Sequence, residues 1–218
     1  MNLTYFFRTE EDFQRYLDEK KLDPLTNKNE PLFEYKLLDF SLSRNYDFLI
    51  ITSRMAIKSL ALNNQIDKNI QIILVGKKSA EFLRENNFNN ILYIANDIED
   101  LLRFIEKSFL FEKNACYLRG NYISYYICQK YKNFNEKIVY NILYKNDLSD
   151  EFKSNLKNGK IENLNFFSYK SLEEFIKICE KIDLIQYLKN INAFSMNKNS
   201  KNKFTENIFK NINIIDYF

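Results

Sequence analysis

Short apolar runs without a polar break constrain this chain most. Phe48-Leu49-Ile50-Ile51 and Ile72-Ile73-Leu74-Val75 are continuously apolar. They are too short to span a membrane and do not alternate as a half-buried strand would. Continuous apolarity is expected of strands whose sheet is covered by helices on both faces. Strands are predicted at residues 3–7, 47–51, 70–75, 90–94, 115–118, 163–167, 191–196 and 211–215, with an extended segment at 138–144. Amphipathic stretches separate them. Thr9 caps the first helix, with Asp12 three residues on and Phe13, Tyr16 and Leu17 as its apolar stripe. Ser53 caps the helix that carries Ala56, Ile57, Leu60 and Ala61. A long helix is expected over 170–188 and a short one near 200–207. This β-α rhythm predicts parallel α/β architecture.

The pattern also repeats. Leu49-Ile50-Ile51-Thr52-Ser53, followed by a helix, recurs as Leu164-Asn165-Phe166-Phe167-Ser168. Gly76, Ser79, Leu83, Phe88 and Ile91 recur at the same spacing as Asn197, Ser200, Phe204, Phe209 and Ile212. Two similar α/β domains are therefore expected. Extended segments at 32–38 and 138–144 flank the middle block and read as inter-domain connectors. Residues 1–34 together with 144–218 then form one discontinuous domain, and 39–137 the other. A cleft would open between the two.

Composition removes several chemistries. Among 218 residues there is no histidine, so no Ser-His-Asp site and no imidazole ligand exists. Cys116, Cys128 and Cys179 lack CxxC spacing and read as buried thiols of a reducing compartment. Three glycines cannot build a dinucleotide or phosphate loop, and neither GxGxxG nor GxxxxGK occurs. The net charge is +3, with lysines interleaved among acids, so no nucleic-acid arm is expected. No signal peptide or membrane segment is visible, and no heptad run argues for an obligate oligomer. The chain reads as a cytoplasmic monomer. Its abundance of Lys, Asn, Ile, Phe and Tyr suggests an AT-rich genome.

Ligands of parallel α/β sheets bind beyond the carboxyl ends of the strands, at helix N-termini. Thr52, Ser53, Ser79 and Ser168 stand at such junctions. Their hydroxyls and neighbouring N–H groups suit carboxylates or phosphates, and suit plain helix capping equally. Arg119-Gly120 closes a strand. Glycine there permits close backbone approach. Arg119 is either a bidentate carboxylate partner or a surface arginine. Tyr140 is either a weak acid in a protein without histidine or a cross-strand packing residue.

These same residues resemble the uroporphyrinogen-III synthase family. The family's Thr-Arg strand end reads Phe7-Arg8 here, and its apolar strand into Thr-Ser reads Ile51-Thr52-Ser53. Its Val-Gly-x-x-Thr-Ala segment reads Val75-Gly76-Lys77-Lys78-Ser79-Ala80. The Arg-Gly strand end matches Arg119-Gly120, the Val-Tyr crossover Val139-Tyr140, and the Phe-x-Ser junction Phe166-Phe167-Ser168. Two positions depart: Phe7 replaces a threonine, and Asn197-Lys198-Asn199-Ser200 replaces a Gly-x-x-Thr turn.

The resemblance implies two flavodoxin-like α/β domains on a two-stranded connector. It implies conversion of hydroxymethylbilane to uroporphyrinogen III with inversion of the last pyrrole, without a cofactor. Tyr140 would assist departure of the hydroxyl. Arg8, Thr52, Ser53, Gly76, Ser79, Arg119, Gly120, Ser168 and Ser200 would hold the substrate's acetate and propionate arms, and domain motion would close over it. Two other readings stand beside this one. The first is a non-catalytic binder of a tetrapyrrole or another small anion. The second is an unrelated two-domain α/β enzyme, which would need a metal-binding carboxylate pair or a nucleotide loop. Asp147 and Asp150 read instead as charges at a helix N-terminus.

Overall fold

The structure, a computed structural model, describes residues 2–122 and 125–215. The chain divides into two compact units. The first runs to Glu34 and resumes at Leu143, and the second is Tyr35–Ile142.

The first unit is built on β1 (Leu3–Phe6), α1 (Glu10–Lys20) and β2 (Asn27–Asn29). After the second unit it continues with α6 (Asp150–Lys157), β9 (Ile161–Phe166), α7 (Tyr169–Lys181), β10 (Asn192–Ser195), α8 (Lys203–Ile208) and β11 (Asn211–Ile214). The second unit carries β4 (Phe48–Ile51), α2 (Arg54–Leu62), β5 (Gln71–Val75) and α3 (Lys77–Glu85). It goes on through β6 (Ile91–Ala95), α4 (Ile98–Lys107), β7 (Ala115–Gly120) and α5 (Ile127–Lys130). Strands β3 (Phe33–Leu37) and β8 (Phe134–Tyr144) are the two places where the chain passes from one unit to the other.

The first sheet has the order β11-β10-β9-β1-β2, with every pair parallel. The second has the order β3-β8-β7-β4-β5-β6, parallel from β8 to β6. In each unit's own strand count these are 2-1-3-4-5 and, for the parallel part of the second, 3-2-1-4-5. The first is the order of flavodoxin-like sheets and the second the other common doubly wound order. Both reverse direction once, between β1 and β9 in the first and between β4 and β7 in the second.

The apolar runs explain the second sheet. All four residues of β4 are fully buried. Leu49 and Ile51 pack with Ala56, Ile57 and Leu60 of α2 and Leu83 of α3. Phe48 and Ile50 pack on the opposite face with Ile98, Leu101 and Ile105 of α4. Each such side chain contributes roughly 1.5–3 kcal/mol by leaving water, so this strand has no tolerance for a polar residue on either face.

The first sheet differs. On one face Tyr5, Leu164, Phe166, Ala193 and Ile212 build a core with α6 and α7. The other face carries Phe6, which meets Phe13, Tyr16 and Leu17 of α1, and Phe194 of β10. Elsewhere it carries Thr4, Asn163, Asn192 and Asn211 side by side on four neighbouring strands. Asn163 Nδ2 donates to Thr4 Oγ1 at 3.2 Å, Asn192 Nδ2 to Asn163 Oδ1 at 3.3 Å, and Asn211 Nδ2 to Asn192 Oδ1 at 3.0 Å. An amide both donates and accepts, so identical residues in register satisfy one another across the strands.

Three expectations change. The helix expected over 170–188 stops at Lys181, where Asp183 takes a left-handed φ of 56°. The chain then continues as a 3₁₀ turn over Ile185–Asn190. The helix expected near 200–207 is a 3₁₀ turn, Lys198–Ser200, followed by α8. Asn197 opens that turn at φ −105°, in extended backbone, whereas Gly76 opens α3 at φ +93°. The repeated spacing therefore does not repeat the backbone. Among the described residues no helix is long and apolar enough to cross a membrane.

Candidate functional site

At a reversal point, adjacent strands send their connections to opposite faces, and a crevice opens beyond their carboxyl ends. In the second unit this crevice lies past β4 and β7. A cavity of about 350 Å³ occupies it, lined by Thr52, Ser53, Tyr117, Arg119, Gly120 and Tyr140, with Val75, Ile98, Tyr122 and Tyr125. Five of the residues singled out in the sequence thus share one cavity.

Two hydroxyl pairs organise it. Ser53 caps α2, its Oγ accepting from Met55 N at 3.2 Å, and the same hydroxyl donates to Tyr140 Oη at 2.9 Å. Because Tyr140 accepts this bond, its own proton is free for another acceptor. Thr52 Oγ1 pairs with Tyr117 Oη at 2.8 Å. Burial pushes the Tyr117 phenol above its ordinary value, against the hydrogen bond shared with Thr52.

The placement of Tyr140 follows from local irregularity. Between β7 and β8 the register slips after Arg119, so that Arg119 faces Ile138 and Gly120 faces Tyr140. Val139 is the extra residue, and bulges of this kind re-aim the next side chain. The Val139 carbonyl accepts from Ser59 Oγ at 2.8 Å and Leu38 N at 3.0 Å, so the bulge leaves no orphan acceptor. The Tyr140 ring then takes up the space a side chain at Gly120 would need. A Cβ on Gly120 would stand 2.5 Å from Tyr140 Cζ. The close approach expected at Gly120 is made by a side chain of this chain.

Arg119 resolves between its two readings in a third way. Nη1 donates to the Gly120 carbonyl at 2.7 Å and Nη2 to Glu136 Oε1 at 2.6 Å. The bond to Glu136 raises its already high value further. Nε is buried and has no partner among the described residues. Arg119 thus braces the strand end beneath Tyr140. Gly76 and Ser79 sit one strand further out, at the end of β5, and Val75 is the part of that segment that reaches the cavity.

In the first unit the reversal lies between β1 and β9. Arg8 follows β1, and its guanidinium lies 4.0 Å above the Phe167 ring and 5.1 Å from that of Tyr16. Contacts of this kind contribute about 0.5–2 kcal/mol and fix the plane of the cation. Partial burial lowers Arg8 from its ordinary value, opposed by Asp12. Exposed Ser168 follows β9 and caps α7, accepting from Ser171 N at 3.1 Å. Phe7, where the family pattern has threonine, is buried and stacks on Phe166 at 4.5 Å. Ser200 is 0% exposed and its hydroxyl is paired with Ser195 at 2.7 Å, so it faces the interior.

Sequence reasoning did not single out Tyr117, Tyr122 or Tyr125. The signal was present as tyrosines on both sides of the Arg119-Gly120 strand end. No group of three or more acidic or thiol side chains stands ready for a metal among the described residues.

Two parallel α/β units, each with polar groups gathered at its strand reversal, define a protein of the doubly wound class. Residues 26–215 match the profile described as Uroporphyrinogen-III synthase HemD, and the chain belongs to that family. No curated protein matches it. Its fold is similar to that of a uroporphyrinogen-III synthetase from Helicobacter pylori, with TM-score 0.61 and 19% identity over 97% of this chain and 92% of that one. It is also similar to a mutant uroporphyrinogen III synthase from the extremely thermophilic bacterium Thermus thermophilus, with TM-score 0.51 and 12% identity over 100% and 94%.

Proposed function

We propose that this chain is a uroporphyrinogen-III synthase acting on hydroxymethylbilane. The observation that carries the reading is the Ser53–Tyr140 pair, a phenol with a free proton inside the cavity at a strand reversal. Tyr140 gives its proton to the terminal hydroxyl, the C–O bond breaks and water leaves. The Ser53 hydroxyl, already donating to Tyr140 Oη, stabilises the phenolate. The resulting azafulvenium cation is attacked by the substituted carbon of the last ring. The spiro intermediate fragments and recombines in reverse, and the proton finally lost from carbon returns to the Tyr140 phenolate. The balance is loss of one water, with no cofactor.

The substrate is intrinsically reactive, so the protein's work is positioning. Thr52, Ser53 and the backbone near Gly76, Ser79 and Gly120 hold carboxylate arms in the second unit, with Arg119 bracing the strand end. Arg8 and Ser168 hold them in the first. The enzyme works as a monomer in the cytoplasm. A second reading rests on Asn197 and Ser200, which present neither a glycine turn nor a free hydroxyl: the same scaffold as a non-catalytic binder of a tetrapyrrole or another small anion.

The test is to supply fresh hydroxymethylbilane, oxidise the products, and measure type III against type I uroporphyrin beside a protein-free control. A type III excess is expected. Tyr140→Phe should lower turnover about 10²–10⁴-fold while the protein stays folded. Type I alone, at the uncatalysed rate, would sink the synthase reading and leave the binder.

A further inference from the structure

The cavity of the second unit is walled by tyrosines. Tyr117 and Tyr140 are buried on β7 and β8, whereas Tyr122 and Tyr125 come from the segment between β7 and α5. Tyr122 is 53% exposed and Tyr125 47%. Large rings are ordinarily covered by the fold, and a cluster of them left open at the mouth of a cavity marks a surface awaiting a ligand. The Tyr125 hydroxyl reaches Glu99 Oε1 on α4 at 3.4 Å, which holds Tyr125 near the start of that helix. Ile98 at that helix start lines the same cavity. Among the described residues that line it, none carries a carboxylate.

Such a wall suits a particular chemistry. Phenol faces are electron-rich and stack on flat heteroaromatic rings. The same faces attract a cation. A cavity with tyrosine faces therefore favours a planar ring that becomes positively charged against those faces, while a lining that holds Arg119 and no carboxylate among the described residues leaves room for the carboxylate arms beside hydroxyls and N–H groups.

We propose that Tyr122 and Tyr125 stack on a terminal pyrrole ring of a linear tetrapyrrole and determine which isomer forms, an inference that rests on the synthase reading above. Unguided ring closure of this substrate gives the symmetric isomer. The inverted isomer requires the last ring to present its substituted carbon to the cationic carbon. Fixing the plane of a terminal ring controls that choice, and the stacked phenols also accommodate the charge that appears when the hydroxyl leaves. Neither residue forms or breaks a bond; both determine specificity.

The test uses the full chain and two double variants, Tyr122→Ala/Tyr125→Ala and Tyr122→Phe/Tyr125→Phe. Both sites are exposed, so the fold should survive either change. The Ala variant should lower the type III to type I ratio about tenfold and raise KM, whereas the Phe variant, which keeps the ring faces, should stay near wild type. A parallel fluorescence titration with uroporphyrin III should show weaker binding for the Ala variant alone. An Ala variant equal to wild type in ratio and in binding overturns the inference and leaves the synthase reading standing. A Phe variant as impaired as the Ala variant also overturns it, since hydroxyls rather than ring faces would then be responsible. If wild type yields only type I, yet binds uroporphyrin III with that Ala/Phe difference, the stacking surface stands and the synthase reading falls. A wild type that neither cyclises nor binds overturns both.

Discussion

At Gly120 the place of a side chain is taken by a tyrosine ring. Adding one methyl group there puts a carbon 2.5 Å from Tyr140 Cζ, and the phenol has to move. Gly120→Ala should therefore cost about 1–3 kcal/mol of stability, as overpacking does, and should lower turnover more than stability alone explains. A thermal melt beside the isomer assay separates the two effects. Phe7 is the opposite case. It stacks on Phe166 and lies 4.8 Å from Phe175, so Phe7→Thr, toward the family pattern, should destabilise by about 3–5 kcal/mol. A fall in Tm is the readout. An unchanged Tm would mean that the ring contributes nothing to the core. These residues show where sequence reading stops. That Ser53 caps a helix was legible from its place before an apolar stripe. That its hydroxyl also holds a phenol 87 residues away was not, because no local signal encodes a bulge at Val139.

Elements were legible to the degree that they are apolar. Strand β4 announces itself because both its faces are covered. Strand β2, Asn27-Lys28-Asn29, does not, because it is an edge strand with no buried residue. Helix α7 was overextended because Leu184 and Leu188 continue the apolar spacing beyond its end. Only the left-handed backbone at Asp183 shows that they approach the core from a separate turn. The amide row on the first sheet is a second polar feature hidden by composition, since asparagine is common throughout this chain. Asn192→Ala removes both of its links in that row and should lower stability by about 1–2 kcal/mol. Urea unfolding should show a lower midpoint at unchanged slope.

For the molecule as a whole, the alternation of strands and helices was enough to read parallel α/β architecture, while the strand order that brings Thr52 beside Tyr117 was not contained in any local pattern. Charge sets a further property at this scale. Without histidine, no side chain has an ordinary value between about pH 5 and 8. Asp100 is held below its ordinary value by the Asn96 N–H, Asp147 by Lys153, and Glu106 by Lys130. Their stabilisation is present above the ordinary carboxylate range and is lost as pH falls through it. Burial pushes Cys116 up to about 11 and Cys128 to about 12, from 9.0. These thiols are protonated in the fold, so stability should be complete below pH 9.0 and decline above it. Tm should accordingly be flat across neutral pH and fall on both sides, and a step near pH 6.5 would contradict this.

The division of the chain has a consequence in time. A ribosome delivers β1, α1 and β2 before the entire second unit, and the neighbour of β1, strand β9, only after it. The second unit is continuous in sequence and can close as soon as β8 has emerged. Meanwhile β1 has β2 along one edge, and its other edge, with Leu3, Tyr5 and Phe6, waits for β9. An apolar strand with one open edge is where nascent chains associate wrongly. The vulnerable moment of this protein's life is thus its own synthesis, when its first residues depend on those more than 150 positions behind them.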